Sequence, residues 1–351
     1  MRISMLGQSG SGKTTFMCAL HEKMIQNDFC GFSILPYTEN SNNDDSLAAI
    51  GMLENMSFCR DGQNVQFPKG TDATTYWTFD LLYKNRNLCK LDWIDYRGGK
   101  INEIFDGDNE ANLLKDLIYG SNAIIVFIDS IDLALIDDIN VCQRKTGADK
   151  LSILLKDYER IYKNEDTIIL FALSKCDSAL ITQEYKKDNY RNLVVKSQNV
   201  FKDILTIKTR NDHWNIGIIP ISSVGYGKTE TSKESTGDIL QPYKVSCNLC
   251  KYPSPVNVVE AFLFCINEIV KVSKQRVQNK VFTMQNQIIE EFQSATLTDS
   301  ICSAIKRKDS HYDLASRLNA SKILSENKIK QLDRITDIIS QTITLEKVYI
   351  I

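Results

Sequence analysis

The chain has 351 residues, 43% hydrophobic and 25% charged, with a formal net charge of −2, an ordinary globular balance that excludes a general nucleic-acid or membrane-surface binder. This length accommodates one large α/β domain with a smaller appendage. No run of eighteen apolar residues occurs, which argues against an integral membrane segment.

From the N-terminus, Ile3 to Leu6 reads as a buried strand that reaches a glycine loop by residue 7, leaving no space for a secretory signal. An intracellular, cytoplasmic chain is therefore expected, and its ten cysteines are read as reduced and mostly buried thiols. A helix from about Gly12 to Ile25 follows, its N-terminus facing a bound anion. Residues 34 to 70 are polar and irregular. Tyr76 to Tyr83 and Leu88 to Asp95 then form two strands around the turn-like Lys84-Asn85-Arg86-Asn87, and a connection so short makes them antiparallel.

Strand and helix alternate after that. Ala123 to Ile128, Thr167 to Leu173 and Gly217 to Ile221 read as strands, with helices near 110–119, 148–163 and 182–206. A last domain helix covers Val256 to Val270, preceded by a polar insertion at about 225–254. The predicted fold is α/β, with a mixed six-stranded sheet, one antiparallel edge strand and a C-terminal helical extension. Residues 1–272 make the main domain, with the insertion at about 225–254, and 273–351 the extension. In the latter, Ile329, Leu332, Ile335, Ile339 and Ile343 recur at spacings of three or four, one face of an amphipathic helix. That face packs either on its own chain or on a partner.

Four short signatures carry the chemistry. The first, Gly7-Gln8-Ser9-Gly10-Ser11-Gly12-Lys13-Thr14 followed by Thr15, lies directly after a strand and before a helix. Its small residues let successive backbone N–H groups turn inward around phosphates, Lys13 adds a charge between the outer ones, and the Thr14 hydroxyl suits Mg²⁺. The second is Asp95-Tyr96-Arg97-Gly98, where a carboxylate ending a strand holds Mg²⁺ through water and the Gly98 N–H meets the terminal phosphate. The third, Ser174-Lys175-Cys176-Asp177, names the base: the Asp177 carboxylate accepts the ring N–H and exocyclic amine of guanine, which adenine does not match. Lys175 lies along the base plane and braces the phosphate loop. The fourth, Ile221-Ser222-Ser223, places backbone donors of Ser222 and Ser223 near guanine O6.

These residues resemble the translation-factor-related (TRAFAC) class of P-loop GTPases across roughly 1–272. The segments "FPKGTDATTYWTFDL" at 67–81, "WIDYRGG" at 93–99 and "VNVVEAFLFCI" at 256–266 look more specifically like bacterial GTPases of the double-GTPase or stand-alone type. The resemblance implies GTP/GDP and Mg²⁺ as cofactors, a bacterial signalling or defence setting, and a first-switch threonine that binds Mg²⁺ and senses the γ-phosphate. Thr71 matches best, with Thr74 and Thr75 as rivals. Lys13, Thr71 and Gly98 are then the catalytic set, and Thr14, Thr71 and Asp95 the metal ligands.

One departure stands out. Where wider relatives place a glutamine or histidine to orient the attacking water, this chain has Gly99. Turnover is therefore expected to be slow without a protein activator or self-association through the tail or the nucleotide domain, and a GTP-gated interaction protein with little hydrolysis is the alternative. An ATP-dependent P-loop enzyme is a third reading. Cys247-Asn248-Leu249-Cys250 has the spacing of half a zinc knuckle without a second half.

Overall fold

Four apolar runs without interior charge become the parallel heart of a sheet: β1 (Arg2–Gly7), β7 (Ala123–Asp129), β8 (Thr167–Ser174) and β9 (Trp214–Pro220). Strands covered on both faces need no polar alternation, and nearly every residue of the four is buried. The computed structural model describes residues 1–25, 31–36, 59–61, 64–67, 75–95, 112, 115, 116, 118–162, 165–238, 243–295, 301–342 and 348–350.

Between β1 and β7 come β2 (Phe32–Pro36), the small hairpin β3 (Cys59–Asp61) and β4 (Asn64–Gln66), and the long pair β5 (Thr75–Tyr83) and β6 (Arg86–Asp95). Lys84 and Asn85 alone join the long pair, both at positive φ (46° and 61°), the conformation a two-residue hairpin turn demands. The insertion after β9 forms a second hairpin, β10 (Thr229–Ser235) with β11 (Tyr243–Leu249), and β12 (Tyr349–Ile350) comes last.

The main sheet runs β12-β9-β8-β7-β1-β6-β5-β2. β1 pairs in parallel with β7 on one side and β6 on the other, while β2, β5 and β12 run antiparallel to their neighbours. The architecture is α/β with a mixed sheet and flanking helices, broadly like that of P-loop NTPases. Eight strands replace the six expected. The two additions are edges: β2, whose Phe32 and Ile34 are buried while Leu35 is exposed, and two residues near the C-terminus.

β12 reaches the sheet because β9 carries Gly217 there. A Cβ at that position would lie 2.9 Å from Val348 Cγ1, which would have to shift, and 3.1 Å from Phe264 Cζ, which would have to give by a few tenths of an ångström.

Helix α1 (Lys13–Ile25) follows β1 directly. Two short helices not foreseen from the sequence follow β7: α2 (Ser130–Leu135) and α3 (Ile139–Thr146), each started by an aspartate whose carboxylate accepts backbone N–H groups. Asp129 takes the Ile131 N–H at 2.9 Å, and Asp138 those of Asn140 and Val141. α4 (Ala148–Ile161) turns Leu151, Leu154, Leu155 and Tyr158 inward. α5 (Ala179–Tyr185), α6 (Arg191–Val200) and α7 (Lys202–Arg210) lie between β8 and β9.

Aromatic pairs fix the layers. Phe16 of α1 meets Phe127 of β7 edge-on at 5.1 Å, and Phe171 of β8 meets Phe201 at 4.9 Å. Each fully buried ring contributes roughly 1.5–3 kcal/mol by leaving water.

The chain divides into two compact units, Met1–Cys265 with Thr344–Ile351, and Ile266–Ile343. The helix α8 (Val258–Ala295), from Ile266 onward, and α9 (Ile301–Thr342) supply the second. Within it Lys274 Nζ donates to Asp333 at 2.5 Å, and Leu332, Ile335 and Ile339 of the predicted stripe are buried. Ile329 is half-buried, and Ile343 is outside the described residues. Among the described residues no helix is long and apolar enough to cross a membrane.

Candidate functional site

The loop from Gly7 to Lys13 joins the C-terminal end of β1 to the first turn of α1, beside the point where the sheet's order reverses around β1. In open α/β sheets that crevice is where ligands bind. Backbone conformation explains the loop's glycines. Gly7 has φ 153°, and a Cβ there would lie 2.6 Å from Ser11 Oγ and 2.7 Å from the Phe127 carbonyl oxygen. Gly10 and Gly12 sit at φ 75° and 93°, in the left-handed region.

Lys13 is 6% exposed, and its Nζ donates to the carbonyl oxygens of Gly7 (2.9 Å) and Gln8 (3.2 Å). The ammonium is thereby held across the loop it would serve. Gln8 closes a turn by accepting the Ser11 N–H at 3.2 Å, and Ser9 and Gly10 are exposed at the tip. Thr14 and Thr15 occupy the half-buried first turn of α1. The Ser11 hydroxyl is buried without a hydrogen-bond partner, an unusual cost for a polar atom. An orphaned donor within a ring of glycines, at a helix N-terminus and beside a lysine, fits a polyphosphate.

β8 ends against this loop. Ser174 Oγ lies 2.7 Å from the Ser11 carbonyl and 3.0 Å from the Ile128 carbonyl, so one buried hydroxyl of β8 reaches both the glycine loop and β7. The next residue, Lys175, has φ 59°, and its ammonium pairs with the Asp129 carboxylate. Burial works against that ammonium, but the Asp129 and Asp132 charges together outweigh it and raise its pKa. In the structure Ser174 braces the loop, while Lys175 is anchored to Asp129. Burial, then the Asp129 charge, pushes Asp132 up to about 6.

Asp177 is 7% exposed. Ser222 Oγ donates to its Oδ1 at 2.7 Å, and Thr229 Oγ1 to its Oδ2 at 3.3 Å. Burial raises its pKa above the usual carboxylate range, against the opposing pull of Ser222, Thr229 and Lys175. The loops after β8 and β9 are latched by backbone bonds, from Cys176 N–H to the Ile221 carbonyl and from Ile221 N–H to that of Leu173. Ser222 Oγ also accepts the Gly225 N–H at 2.7 Å. The Ser222 N–H is engaged by the Val256 carbonyl at 3.0 Å, and Ser223 is buried beside it.

Asp95 closes β6 level with Met5 of β1, which brings its backbone to the same end of the sheet. Its side chain lies outside the described residues, as do Thr71, Thr74, Arg97, Gly98 and Gly99. Among the described residues no group of three His, Cys, Asp or Glu is arranged to hold a metal, and Cys247 and Cys250 are free thiols.

Two residues of this constellation escape a motif reading. Asp129 follows an apolar strand as Asp95 does, and that shared position was its one signal. Thr229 sits in the polar insertion, and nothing in its neighbourhood marks it.

No protein-family model and no curated protein matches the chain. Among solved structures it is similar to the signal recognition particle receptor SRb-GTP/SRX complex from Chaetomium thermophilum, at 15% identity and a TM-score of 0.34, over 64% of this chain and 92% of that one.

Proposed function

We propose that the chain is a Mg²⁺-dependent GTPase acting as a nucleotide-controlled switch on a protein partner, a cytoplasmic component of a bacterial signalling or defence system. The observation that carries this reading is the meeting, at one end of the sheet, of a glycine-lined phosphate loop with a buried carboxylate held by hydroxyls. The loop and Asp177 are joined through the short segment from Ser174 to Asp177, so phosphates and base edge have separate receptors on one frame.

In this reading Gly7, Gln8, Ser9, Gly10, Ser11, Gly12, Thr14 and Thr15 cradle the phosphates, and Ser174, Lys175, Asp177, Ser222 and Ser223 hold the guanosine, Ser222 through its hydroxyl on Asp177 rather than the backbone N–H expected from the sequence, which the Val256 carbonyl occupies. Lys13 moves its ammonium from the Gly7 and Gln8 carbonyls to the outer phosphates, where it stabilises charge developing as water attacks in line. Gly98 donates its N–H to the γ-phosphate, and Thr71 senses the same group through its backbone. Thr14, Thr71 and Asp95 would hold Mg²⁺, which would supply charge neutralisation at the phosphates. The segments 60–75 and 96–118 act as the switches and relax when the γ-phosphate leaves. The division expected from the sequence, a nucleotide domain at 1–272 and a helical extension at 273–351, becomes in this reading Met1–Cys265 with Thr344–Ile351 for the nucleotide unit, and Ile266–Ile343 for the helical unit that transmits the change, by effector contact or by pairing of two copies.

Gly99 favours a second reading, GTP-gated interaction with little hydrolysis, because it has no side chain to position water. Single-turnover phosphate release on the purified chain separates the two. Equal competition by ATP and GTP in a binding assay would end both.

A further inference from the structure

The polar insertion folds as a two-faced hairpin. Along β10 and β11, Glu230, Ser232, Lys244, Ser246 and Asn248 are exposed, while Thr229, Thr231, Val245 and Cys247 turn inward. Val245 packs on the core of the sheet, and Thr231 Oγ1 lies 3.5 Å from Ser178 Oγ at the start of α5. The hairpin therefore stands beside the loop that carries Asp177, and Thr229 is the residue that touches the carboxylate.

We infer that Thr229 is a specificity-determining positioning residue for the base edge: with Ser222 it holds the Asp177 carboxylate oriented and ionised, an acceptor only. The inference rests on the guanine-nucleotide reading of the site and deepens it. Guanine presents two adjacent donors, its ring N–H and its exocyclic amine, and an ionised carboxylate accepts both. Adenine presents one donor beside a ring acceptor, so a carboxyl that keeps its proton can pair with adenine instead. The protonation state of Asp177 thus decides the base.

The surroundings press toward the wrong state. Burial favours the protonated carboxyl, and the Ser222 hydroxyl on one oxygen, Asp177's own backbone N–H and the Thr229 hydroxyl on the other oxygen oppose it. The Ser222 hydroxyl accepts the Gly225 N–H and donates its single proton to Asp177. Cys176 on the same loop, Cys247 from β11, Tyr190 before α6 and Tyr226 after β9 also face the carboxylate. Each is kept in its neutral form by burial, which leaves Lys175 as the ion that favours the charged carboxylate. Without the Thr229 hydroxyl the pKa of Asp177 rises further, and guanine binding fails at a higher pH as the solution is acidified.

The test compares GDP and ADP binding to the full-length chain by calorimetry, from mildly acidic to neutral pH. The variants are Thr229→Val, Thr229→Ala, Thr229→Ser and, as a control on the same hairpin face, Thr231→Val. Removing one hydroxyl bond to a charged group lowers the guanine-over-adenine preference about tenfold. It also moves the acid limb of GDP binding to higher pH. Serine restores both, and Thr231→Val leaves both unchanged. The inference is overturned by an unchanged preference in both Thr229→Val and Thr229→Ala, by tighter GDP binding in either, or by an equal loss in Thr231→Val. A wild-type chain that binds no guanine nucleotide removes the GTPase reading itself, an outcome visible before any variant is made.

Discussion

Ser174 Oγ lies 2.7 Å from the carbonyl oxygen of Ser11, across 163 residues of chain. The bond is buried, and the same hydroxyl also reaches the Ile128 carbonyl. In Ser174→Ala the single hydroxyl proton shared by these two acceptors is lost in a place water does not easily enter, at a cost of about 1–2 kcal/mol. Urea denaturation should register that loss, and GDP affinity should fall with it because the loop is no longer pinned. Unchanged stability together with unchanged affinity would show that the brace is idle.

A pH dependence follows from Asp132. Burial, then the Asp129 charge, places its pKa at about 6, well above its unfolded value of about 3.9. A raised carboxylate pKa contributes stability that is complete below the unfolded value and lost as pH rises through the folded one. Asp132→Asn removes that decline. Denaturation midpoints measured across mildly acidic pH should be flatter in the variant, and its stability relative to wild type should be greatest near neutrality. Parallel profiles for the two proteins would contradict the assignment.

Gly217 decides whether β12 can cover β9. Gly217→Ala forces its methyl against Val348 Cγ1 and the Phe264 ring, and overpacking of this kind costs about 1–3 kcal/mol. The result to look for is a lower thermal midpoint with faster hydrogen exchange at Ile218 and Tyr349, since an uncovered β9 exposes ladder groups. If exchange at those amides is unaltered, β12 contributes nothing at this edge.

What could be read beforehand divides along physical lines. β1, β7, β8 and β9 announce themselves because a strand buried on both faces is a continuous apolar run. β2 and β12 do not: β2 is five residues long, ends at Pro36 and buries a serine between Phe32 and Ile34, and two residues such as Tyr349 and Ile350 carry no periodicity. β10 turns only Thr229 and Thr231 inward and is otherwise exposed, so hydropathy does not distinguish it from a loop, whereas β11 does alternate Tyr243, Val245, Cys247 and Leu249 with exposed polar residues, a strand pattern masked by the polar stretch around it. α2 and α3 are each under three turns long. At the site, the glycine loop is legible because its backbone demands special residues in sequence. Asp129 and Thr229 meet Lys175 and Asp177 through tertiary contacts, so their partners are invisible until the chain is folded.

The base-edge carboxylate offers the most direct prediction. Asp177→Asn keeps an acceptor for the Ser222 hydroxyl but replaces the second carboxylate oxygen with a donor. Guanine, whose exocyclic amine would then face an amide N–H, should lose affinity by two orders of magnitude or about that. Xanthine carries a carbonyl where guanine carries the amine, so xanthosine diphosphate should bind the variant better than GDP does. The burial penalty on Asp177 also disappears, because asparagine carries no charge to desolvate. The variant should therefore be no less stable than wild type, which separates altered recognition from misfolding. Competition binding with the two diphosphates on both proteins decides the matter: if GDP keeps its advantage over xanthosine diphosphate in Asp177→Asn, this carboxylate does not read the base.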